Sequence, residues 1–328
     1  MITFCQFGAG RIGAMHAANI AAHPAARLHT ILDTDRQAAE RLAGRYGALV
    51  GNQAEALADA AIDAVAIASS TDTHADLVEA AARAGKAIFC EKPLDLDRSR
   101  AEACLAVAEE CGVPLMVGFN RRFDPNFARL QQEIRAGRIG RPEILHITSY
   151  DPALPPLDFV RRSGGMFRDM MIHDLDMACW LLGEEPVEVF AMASVLVDPA
   201  MGEAGDVDTA VVSLRMKSGA LCHIANSRRA VYGYDQRIEV LGSDGGLQAG
   251  NVAESTIVFS GGDGVVSDKP LPFFLQRYAE AYRRELDHFI TAIAAGTSPL
   301  VGGKDGIRAL ALADAALESH RTGLPVKL

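Results

Sequence analysis

The stretch ITFCQFGAGRIG, residues 2–13, decides the fold. Its first half, Ile2–Phe7, is a short apolar run that predicts a buried strand, and the residues from Arg11 to His23 have the apolar spacing of a helix. The turn between them, Gly8-Ala9-Gly10-Arg11-Ile12-Gly13, fits the pattern G-x-G-x-x-G. Between a strand and a helix this pattern predicts a dinucleotide site, because glycines let the backbone approach a pyrophosphate and the helix start presents unpaired N–H groups. A glycine-rich turn that binds no ligand is the alternative.

Strands and helices continue to alternate outward from this turn through the first third of the chain. Alternation of this kind predicts βαβ units and therefore a parallel sheet of the Rossmann type. Besides Ile2–Phe7, we predict strands at Arg27–Leu32, Ala64–Ala68, Lys86–Cys90 and Pro114–Val117, with further helices at Arg36–Tyr46 and Ala75–Ala84.

After about Gly118 the pattern changes to β-branched and aromatic runs joined by Gly- or Asp-containing turns. Such turns are hairpin signals, so this part predicts a largely antiparallel open sheet with helices, an α+β fold. We therefore predict two domains, a Rossmann α/β domain over residues 1–118 and a substrate-binding and oligomerisation α+β domain over residues 119–328. The expected strands are Ile144–Tyr150, Val187–Val197, Thr209–Met216, Ala220–Ala225 and Arg237–Leu241, and the expected helices are Phe127–Arg135, Asp169–Leu182, Gln276–Ala295 and Lys304–His320.

Composition and charge exclude several classes of partner. The formal net charge of −10, without a basic run, argues against nucleic acid, which is bound by clustered Lys and Arg. The six cysteines are scattered and form no CxxC pair, which indicates core thiols in a reducing compartment. No stretch reaches the ~18 apolar residues of a membrane span, and Met1 to Phe7 enters a strand directly. We expect a cytoplasmic protein that binds neither nucleic acid nor membrane.

Asp33 indicates which cofactor the glycine turn would bind. It ends the second predicted strand, 20 residues beyond Gly13. An acidic residue at this place accepts hydrogen bonds from the adenosine ribose hydroxyls and repels a 2′-phosphate, so NAD is favoured over NADP. The nearby Arg36 keeps NADP as the alternative.

Lys92 is the first candidate for chemistry. Glu91-Lys92-Pro93 directly follows the predicted strand Lys86–Cys90, at the carboxyl edge where open α/β sheets bind ligands. A lysine there can donate to a substrate hydroxyl and favour its alkoxide-like form as hydride leaves. A solvated lysine in a loop is the alternative.

A polar stripe on an apolar helix supplies the second candidate group. Asp169, His173 and Asp176 stand at i, i+4 and i+7, hence on one face, among nearly all apolar neighbours. Hydride transfer from an alcohol needs a base for the hydroxyl proton, and a histidine oriented by a carboxylate suits that task. The alternatives are an Asp–His pair that only ties down the core, and a metal site Asp-x₃-His-x₂-Asp. Nothing else in the sequence completes a coordination shell, so we predict no metal.

With these residues assembled, the chain resembles the glucose–fructose oxidoreductase, inositol dehydrogenase and rhizopine-catabolism family essentially from end to end. Within that family its motifs are most similar to those of inositol 2-dehydrogenases. The residues that carry the likeness are the glycine turn, Ala68-Ser69-Ser70-Thr71 with His74, Glu91-Lys92-Pro93, Gly118 to Pro125, Ser163 to Asp176, and Ala230 to Asp235.

The resemblance implies an NAD-dependent dehydrogenase for a cyclic polyol, myo-inositol before others, in which Lys92, Asp169 and His173 are the catalytic triad. It implies cofactor contacts from Gly8, Ala9, Gly10, Arg11, Ile12, Gly13, Asp33, Ser69, Ser70, Thr71, His74 and Glu91. It implies polyol contacts from Lys92, Asn120, Arg121, Asp158, Asp169, His173 and Tyr234. Dehydrogenation of an aldose or another polyol, and a cofactor-sensing regulator without turnover, are the competing functions.

The second predicted sheet also suggests self-association. Alternating runs such as Thr209–Met216 and Ala220–Ala225 put apolar residues on a face left over after the helices pack. A homo-oligomer would cover that face, and the resemblance implies a tetramer, with a dimer as the alternative.

Overall fold

The computed structural model describes residues 1–328, and they form two compact units. The first unit is Met1–Asn120 together with Tyr282–Leu310, and the second is Arg121–Ala281 together with Ala311–Leu328. The structure differs from the predicted division mainly in Tyr282–Leu310, which we expected in the C-terminal domain. Apolar residues spaced along a helix indicate that a face is buried, but they do not indicate against which sheet.

The first unit contains a six-stranded sheet in the order β3-β2-β1-β4-β5-β6, in which every pairing is parallel. This confirms the predicted Rossmann architecture. The order reverses between β1 and β4, and at such a point a doubly wound sheet leaves a crevice for its ligand. The strands are β1 Ile2–Phe7, β2 Ala26–Leu32, β3 Leu49–Val50, β4 Ala64–Ile67, β5 Ala87–Cys90 and β6 Leu115–Val117, and the helices are α1 Arg11–Ala22, α2 Arg36–Tyr46, α3 Gln53–Ala58, α4 His74–Arg83 and α5 Arg98–Glu110.

The later segment Tyr282–Leu310 supplies part of the first unit's core. Phe289 is fully buried, with its ring centroid 5.7 Å from that of Phe89 and 6.1 Å from that of Phe4. The edge-to-face arrangement with Phe89 adds to the stabilisation that comes from removing apolar surface from water.

The second unit is built on a seven-stranded sheet in the order β12-β11-β7-β10-β9-β8-β15. Its pairings are antiparallel except for β7 with β10, so the prediction of a largely antiparallel open sheet is confirmed. A separate hairpin, β13 with β14, was not predicted. The strands are β7 Pro142–Tyr150, β8 Pro186–Ser194, β9 Thr209–Met216, β10 Leu221–Ser227, β11 Asp235–Gly242, β12 Gly245–Ala249, β13 Val258–Gly261, β14 Gly264–Ser267 and β15 Val326–Lys327.

Helices of the second unit pack on one face of this sheet, and α8 contacts both β7 and α6. Alternate residues of the central strands are buried on that face, as the period of two along a strand requires. The helices are α6 Pro125–Arg135, α7 Leu157–Ser163, α8 Ile172–Leu182, α9 Pro199–Glu203 and α10 Phe274–Arg277; α11 Ala279–Ala295 and α12 Gly303–Thr322 each contain a boundary between the units. No helix is both long and apolar enough to cross a membrane.

The predicted helix Asp169–Leu182 is the clearest local difference. Met166–Met170 forms a single π-helical turn, in which the amide of Met171 donates to the carbonyl of Met166 at 2.9 Å, and α8 starts only at Ile172. A π-turn holds one extra residue. Asp169 and His173 therefore do not share one regular α-helix, although their spacing in sequence suggests that they do.

Candidate active site

The turn after β1 has the geometry of a cofactor loop. Gly8 has φ of +102°, and a Cβ there would collide with the backbone carbonyl of Ala68 at the end of β4. The side-chain amide of Gln6 donates to the carbonyls of Gly8 and Gly13, each at 2.8 Å, and fixes the turn from within the core. Glycine at position 8 thus lets the turn pack directly against the end of β4, whereas a Cβ on Gly10 would meet no protein atom within 4 Å, and α1 begins at the next residue, Arg11. Gln6 was missed from the sequence because it lies in an apolar strand.

Asp33 follows β2 and binds this turn directly. Its Oδ2 accepts from the amide of Ala9 at 2.6 Å, and its Oδ1 accepts from the amide of Asp35 at 2.8 Å. Oδ1 also accepts from the hydroxyl of Thr34 at 3.5 Å, whereas Oδ2 keeps a second acceptor position for the ribose contact expected of Asp33. Arg36, which kept NADP as an alternative, is 80% exposed in its side chain and pairs with Glu40 at 2.8 Å.

The loop after β4 is tied to the loop after β5 by a buried histidine. Nδ1 of His74 lies 2.7 Å from the carbonyl of Pro93, and its Nε2 lies 3.2 Å from the carbonyl of Ser69. Burial lowers the pKa of His74, and the two carbonyls only partly offset this effect. The side chain thus links two backbone loops. Direct cofactor contacts from Ser69, Ser70, Thr71 and His74 stay predictions.

Glu91 and Lys92 leave the carboxyl end of β5, as predicted. The carboxylate of Glu91 lies 2.7 Å from Nε2 of His16, a buried α1 residue that the sequence reading missed. Lys92 is half-buried, and its peptide bond to Pro93 is cis. Asn120 is 2% exposed, and its Nδ2 has no hydrogen-bond partner in the protein. Because an unpartnered buried donor is costly, Asn120 is suited to meet a ligand.

In the second unit, His173 differs from its neighbours on α8 in its exposure to solvent. It is the one residue between Ile172 and Leu181 that is not buried. Asp169 lies in the preceding π-turn and is also only partly buried. The π-turn begins after Gly165, whose φ is +76°, and the amide of Met166 donates to Asp206 at 2.9 Å. Two partly exposed polar side chains, Asp169 before α8 and His173 in its first turn, therefore lie at the start of an otherwise buried helix.

An arginine and a second acid stand beside Asp169. Arg228 lies 3.5 Å from a carboxylate oxygen of Asp169 and 3.3 Å from one of Asp151. Burial raises the pKa of Asp151 to about 6; the positive charge of Arg228 opposes this rise and the negative charge of Asp169 adds to it. The sequence reading missed both partners, because Asp151 and Arg228 follow separate strands, β7 and β10.

The other two acids of α8, Asp174 and Asp176, form buried ion pairs. Arg122 donates to both oxygens of Asp176, while Asp174 accepts from Arg121, from Ser149 and from Asn226. Asp176 therefore does not complete the Asp-x₃-His-x₂-Asp metal set, the alternative left open by the sequence. Buried acids fully engaged by arginines stabilise the helix position instead.

The remaining predicted polyol contacts have different surroundings. Arg121 is 5% exposed and lies over the ring of Tyr278, and Tyr234 is also 5% exposed, with its ring edge-to-face with that of Tyr278. Asp158 lies on α7 with 88% of its side chain exposed and pairs with Arg161 at 3.2 Å. Within the second unit, Arg121 and Tyr234 thus share one aromatic cluster, whereas Asp158 contacts solvent.

A cavity of about 690 Å³ in the second unit is lined by none of these residues. It lies between α6 and the segment that runs from Leu247 to Val258. We therefore do not assign it to the chemistry.

Similar proteins show the family to which this chain belongs. Residues 2–119 match the model of an oxidoreductase family with an NAD-binding Rossmann fold, and residues 127–248 match the GFO/IDH/MocA C-terminal domain. The chain is 53% identical to inositol 2-dehydrogenase of Rhizobium meliloti over 97% of this chain and 96% of that protein. The chain belongs to the GFO/IDH/MocA oxidoreductase family. The resemblance inferred from the motifs is confirmed, and with it the NAD cofactor and the oxidoreductase class.

Two further members of the family are informative. Myo-inositol 2-dehydrogenase of Thermotoga maritima is 49% identical, over 98% of this chain and 97% of that protein. The crystal structure of scyllo-inositol dehydrogenase from Lactobacillus casei, with bound NAD(H) and scyllo-inositol, superposes with a TM-score of 0.93 at 28% identity. It covers 100% of this chain and 99% of that one.

The position of Asp33 predicts cofactor selectivity. Asp33→Ser removes the charge that would repel a 2′-phosphate, so we expect the NAD/NADP ratio of kcat/KM to fall by about tenfold or more, the loss of a charged contact worth a few kcal/mol. Steady-state kinetics with both cofactors measures the ratio. Asp35→Asn, which removes an exposed charge two residues later, is the control and should leave the ratio within about threefold. Equal use of NAD and NADP by the unaltered protein would contradict the role given to Asp33.

Proposed function

We propose that this protein oxidises a secondary alcohol of an inositol ring, myo-inositol before others, to the corresponding ketone with NAD as hydride acceptor. The observation that carries this proposal is the 53% identity, over nearly the whole of both chains, with an inositol 2-dehydrogenase. The partly exposed His173 on an otherwise buried helix and the unpartnered amide of Asn120 support it from the structure.

The residues around the glycine turn fit NAD. Gly8 lets the turn lie against the end of β4, the start of α1 offers N–H groups to phosphates, and Asp33, which binds this turn, is the acid expected to meet the ribose. Bound NAD would supply the electrophilic carbon that accepts hydride. The chain's own residues then have three tasks: to orient the polyol, to receive the hydroxyl proton and to stabilise the negative charge that develops on oxygen.

We assign these tasks to Lys92, Asp169 and His173. The ammonium of Lys92 donates to the reacting hydroxyl oxygen and favours its alkoxide-like form. The imidazole of His173 takes the hydroxyl proton as the C–H hydride leaves, and Asp169 stabilises the imidazolium that results. The hydroxyl thus loses one proton to the protein and its carbon loses one hydride to NAD, which leaves a ketone. Asn120, Arg121, Tyr234 and Asp158 stay the predicted polyol contacts, and Asp158 would have to leave solvent to serve.

Loss of the base tests the function and the assignment together. The protein as purified should form NADH with myo-inositol, and His173→Ala should lower kcat by about 10²–10⁴-fold, because a positioned base contributes that much. Affinity for NAD, measured by calorimetry, should change little, since the cofactor turn lies in the other unit.

His29→Ala is a matched control for this experiment, because His29 lies in β2 beside Thr30 and has no assigned role. It should retain the turnover of the unaltered protein. Preference for an aldose over every inositol would show that the substrate belongs to another class of polyol. Binding of NAD and polyol without any NADH would make the protein a sensor. Near-normal turnover by His173→Ala with an unshifted pH profile would show that the proton goes elsewhere.

We further propose that the protein is a homo-oligomer, a tetramer or a dimer, associated through the open face of the mixed sheet. Residues on this face are paired across strands into continuous rows, such as Met192, Val211, Ala225, Thr148 and Arg237. Apolar side chains at the ends of this face are well exposed, with Met192 at 57% and Leu221 at 47%. A second copy would cover them. A cytoplasmic location stays a prediction of the sequence.

A charge on this face should prevent association. Leu221→Glu changes an exposed residue of a central strand, so the single chain should remain folded while copies separate. Light scattering should give a multiple of 34.9 kDa for the unaltered protein and a lower mass for Leu221→Glu. Leu300→Glu, at a 50% exposed position of the first unit, is the control and should keep the larger mass. A mass near 35 kDa for the unaltered protein at micromolar concentration would rule out the proposed assembly.

A further inference from the structure

Three titratable side chains from distant parts of the sequence meet in the first unit. His16 lies in α1, Glu91 directly follows β5, and Glu285 lies in α11. Nε2 of His16 is 2.7 Å from Oε1 of Glu91, and one donor atom of each residue lies within 4.8 Å of the other two. The function proposed above uses the loop that Glu91 begins, but it gives no task to His16 or Glu285.

Glu285 is the unusual member of this cluster. Its side chain is fully buried, and neither carboxyl oxygen has a hydrogen-bond partner in the protein. Burial raises the pKa of Glu285 well above its ordinary value, and the negative charge of Glu91 raises it further. A second ionised carboxylate beside Glu91 would be both desolvated and repelled, so these surroundings favour the neutral, protonated form of Glu285.

A proton suits this cluster better than a metal ion does. Two ligand atoms of one tetrahedral cation, each at about 2.0–2.1 Å from it, stand about 3.3 Å apart. The 2.7 Å between His16 and Glu91 is instead the length of a charge-assisted hydrogen bond. His16 thus already donates to Glu91, and Glu285 offers a second proton from the other side of the cluster.

We propose that Glu285 is a positioning residue, a neutral acid whose proton holds the carboxylate of Glu91 against His16 and thereby orients the Glu91-Lys92-Pro93 loop. The gap to Glu91 is closed by rotation of the soft terminal torsion of Glu285 or by one bridging water. The link to catalysis rests on the function proposed for Lys92, whereas the protonation of Glu285 does not.

The surroundings of Glu91 leave it little other freedom. Its amide donates to the carbonyl of Ile67 at 2.9 Å, and a Cβ on Gly118 would lie only 3.1 Å from its Oε2. The backbone of Glu91 and one side of its carboxylate are thus fixed. The orientation of the carboxylate then depends on its two proton donors, His16 and Glu285. Lys92 is the next residue, so a change in that orientation reaches its ammonium.

The charged and titratable groups around the cluster come from four elements. His16 is on α1, and its ring lies edge-on to those of Phe89 and Tyr282. Tyr282 and Glu285 are on α11, Glu91 and Lys92 follow β5, and His74 at the start of α4 feels the charges of both Glu91 and Lys92. Of these groups, Glu91 is the one whose charge acts on Glu285.

Two substitutions of Glu285 test whether it acts as a hydrogen-bond donor. Glu285→Gln places an amide N–H donor where the neutral acid holds its proton, whereas Glu285→Ala removes the donor. We expect Glu285→Ala to lower kcat by about 10–100-fold, because a displaced catalytic group loses rate steeply. Glu285→Gln should recover most of that loss. Turnover by Glu285→Gln should also persist to higher pH than that of the unaltered protein, because the amide cannot ionise.

Two measurements do not depend on turnover. Infrared spectra of protein labelled with ¹³C-glutamate at about pH 8 should contain the carbonyl band of a protonated glutamic acid, and this band should be missing in Glu285→Gln. The folded state binds a proton that the unfolded state releases, so the stability due to Glu285 is full below its ordinary pKa and is lost as pH rises towards the raised value. Relative to Glu285→Gln, the unfolding constant of the unaltered protein should therefore rise by up to about tenfold per pH unit as the pH increases from the ordinary pKa of a glutamate towards the raised pKa of Glu285.

Asp287→Asn is the matched control, because it makes the same carboxylate-to-amide change at an exposed position of the same helix. It should follow the unaltered protein in turnover, infrared band and pH dependence. Absence of the protonated band, or equal loss of turnover by Glu285→Gln and Glu285→Ala, would overturn the proposal. Thermal stabilisation by Zn²⁺ that Glu285→Gln abolishes would overturn it in favour of a cation site. If the band is present but the unaltered protein oxidises no polyol, the proposed function fails and the protonation of Glu285 stands.

Discussion

The cofactor half of the protein depends on a close backbone approach between two strand ends. The turn after β1 lies so near the end of β4 that Gly8 has no room for a Cβ, and Gln6 and Asp33 hold the turn there by hydrogen bonds to its backbone. A parallel sheet brings the carboxyl ends of β1, β4 and β5 to one edge. His74 and the Glu91 cluster then tie the loops that leave this edge to one another.

The second unit depends instead on the complete pairing of its buried charges. Asp174 and Asp176 are almost fully buried on α8, and Arg121 and Arg122 neutralise them from the segment that follows the first unit. Loss of one partner from such a pair costs about 3–5 kcal/mol, so these contacts hold α8 in a defined position. The helix can therefore present one partly exposed polar side chain, His173, without adjusting its packing.

The features that were predicted correctly from the sequence are those that depend on neighbouring residues. The glycine turn and the acid that ends β2 were readable from the sequence, because each depends on spacing within one or two elements. The π-turn at Met166–Met170 was not, since it depends on tertiary contacts such as that between Met166 and Asp206. Glu285 and His16 were missed for a related reason: their positions differ by 269 in the sequence, and no local motif marks either residue.

Hydride transfer from a ring carbon to NAD is the central claim, and isotope transfer measures it directly. The protein would be incubated with NAD and myo-inositol that carries deuterium on its ring carbons, and the reduced cofactor analysed by mass spectrometry. The account predicts NADH one mass unit heavier than that formed from unlabelled inositol, together with an inositol ketone. NADH without deuterium, or no NADH under conditions where both ligands bind, would contradict it.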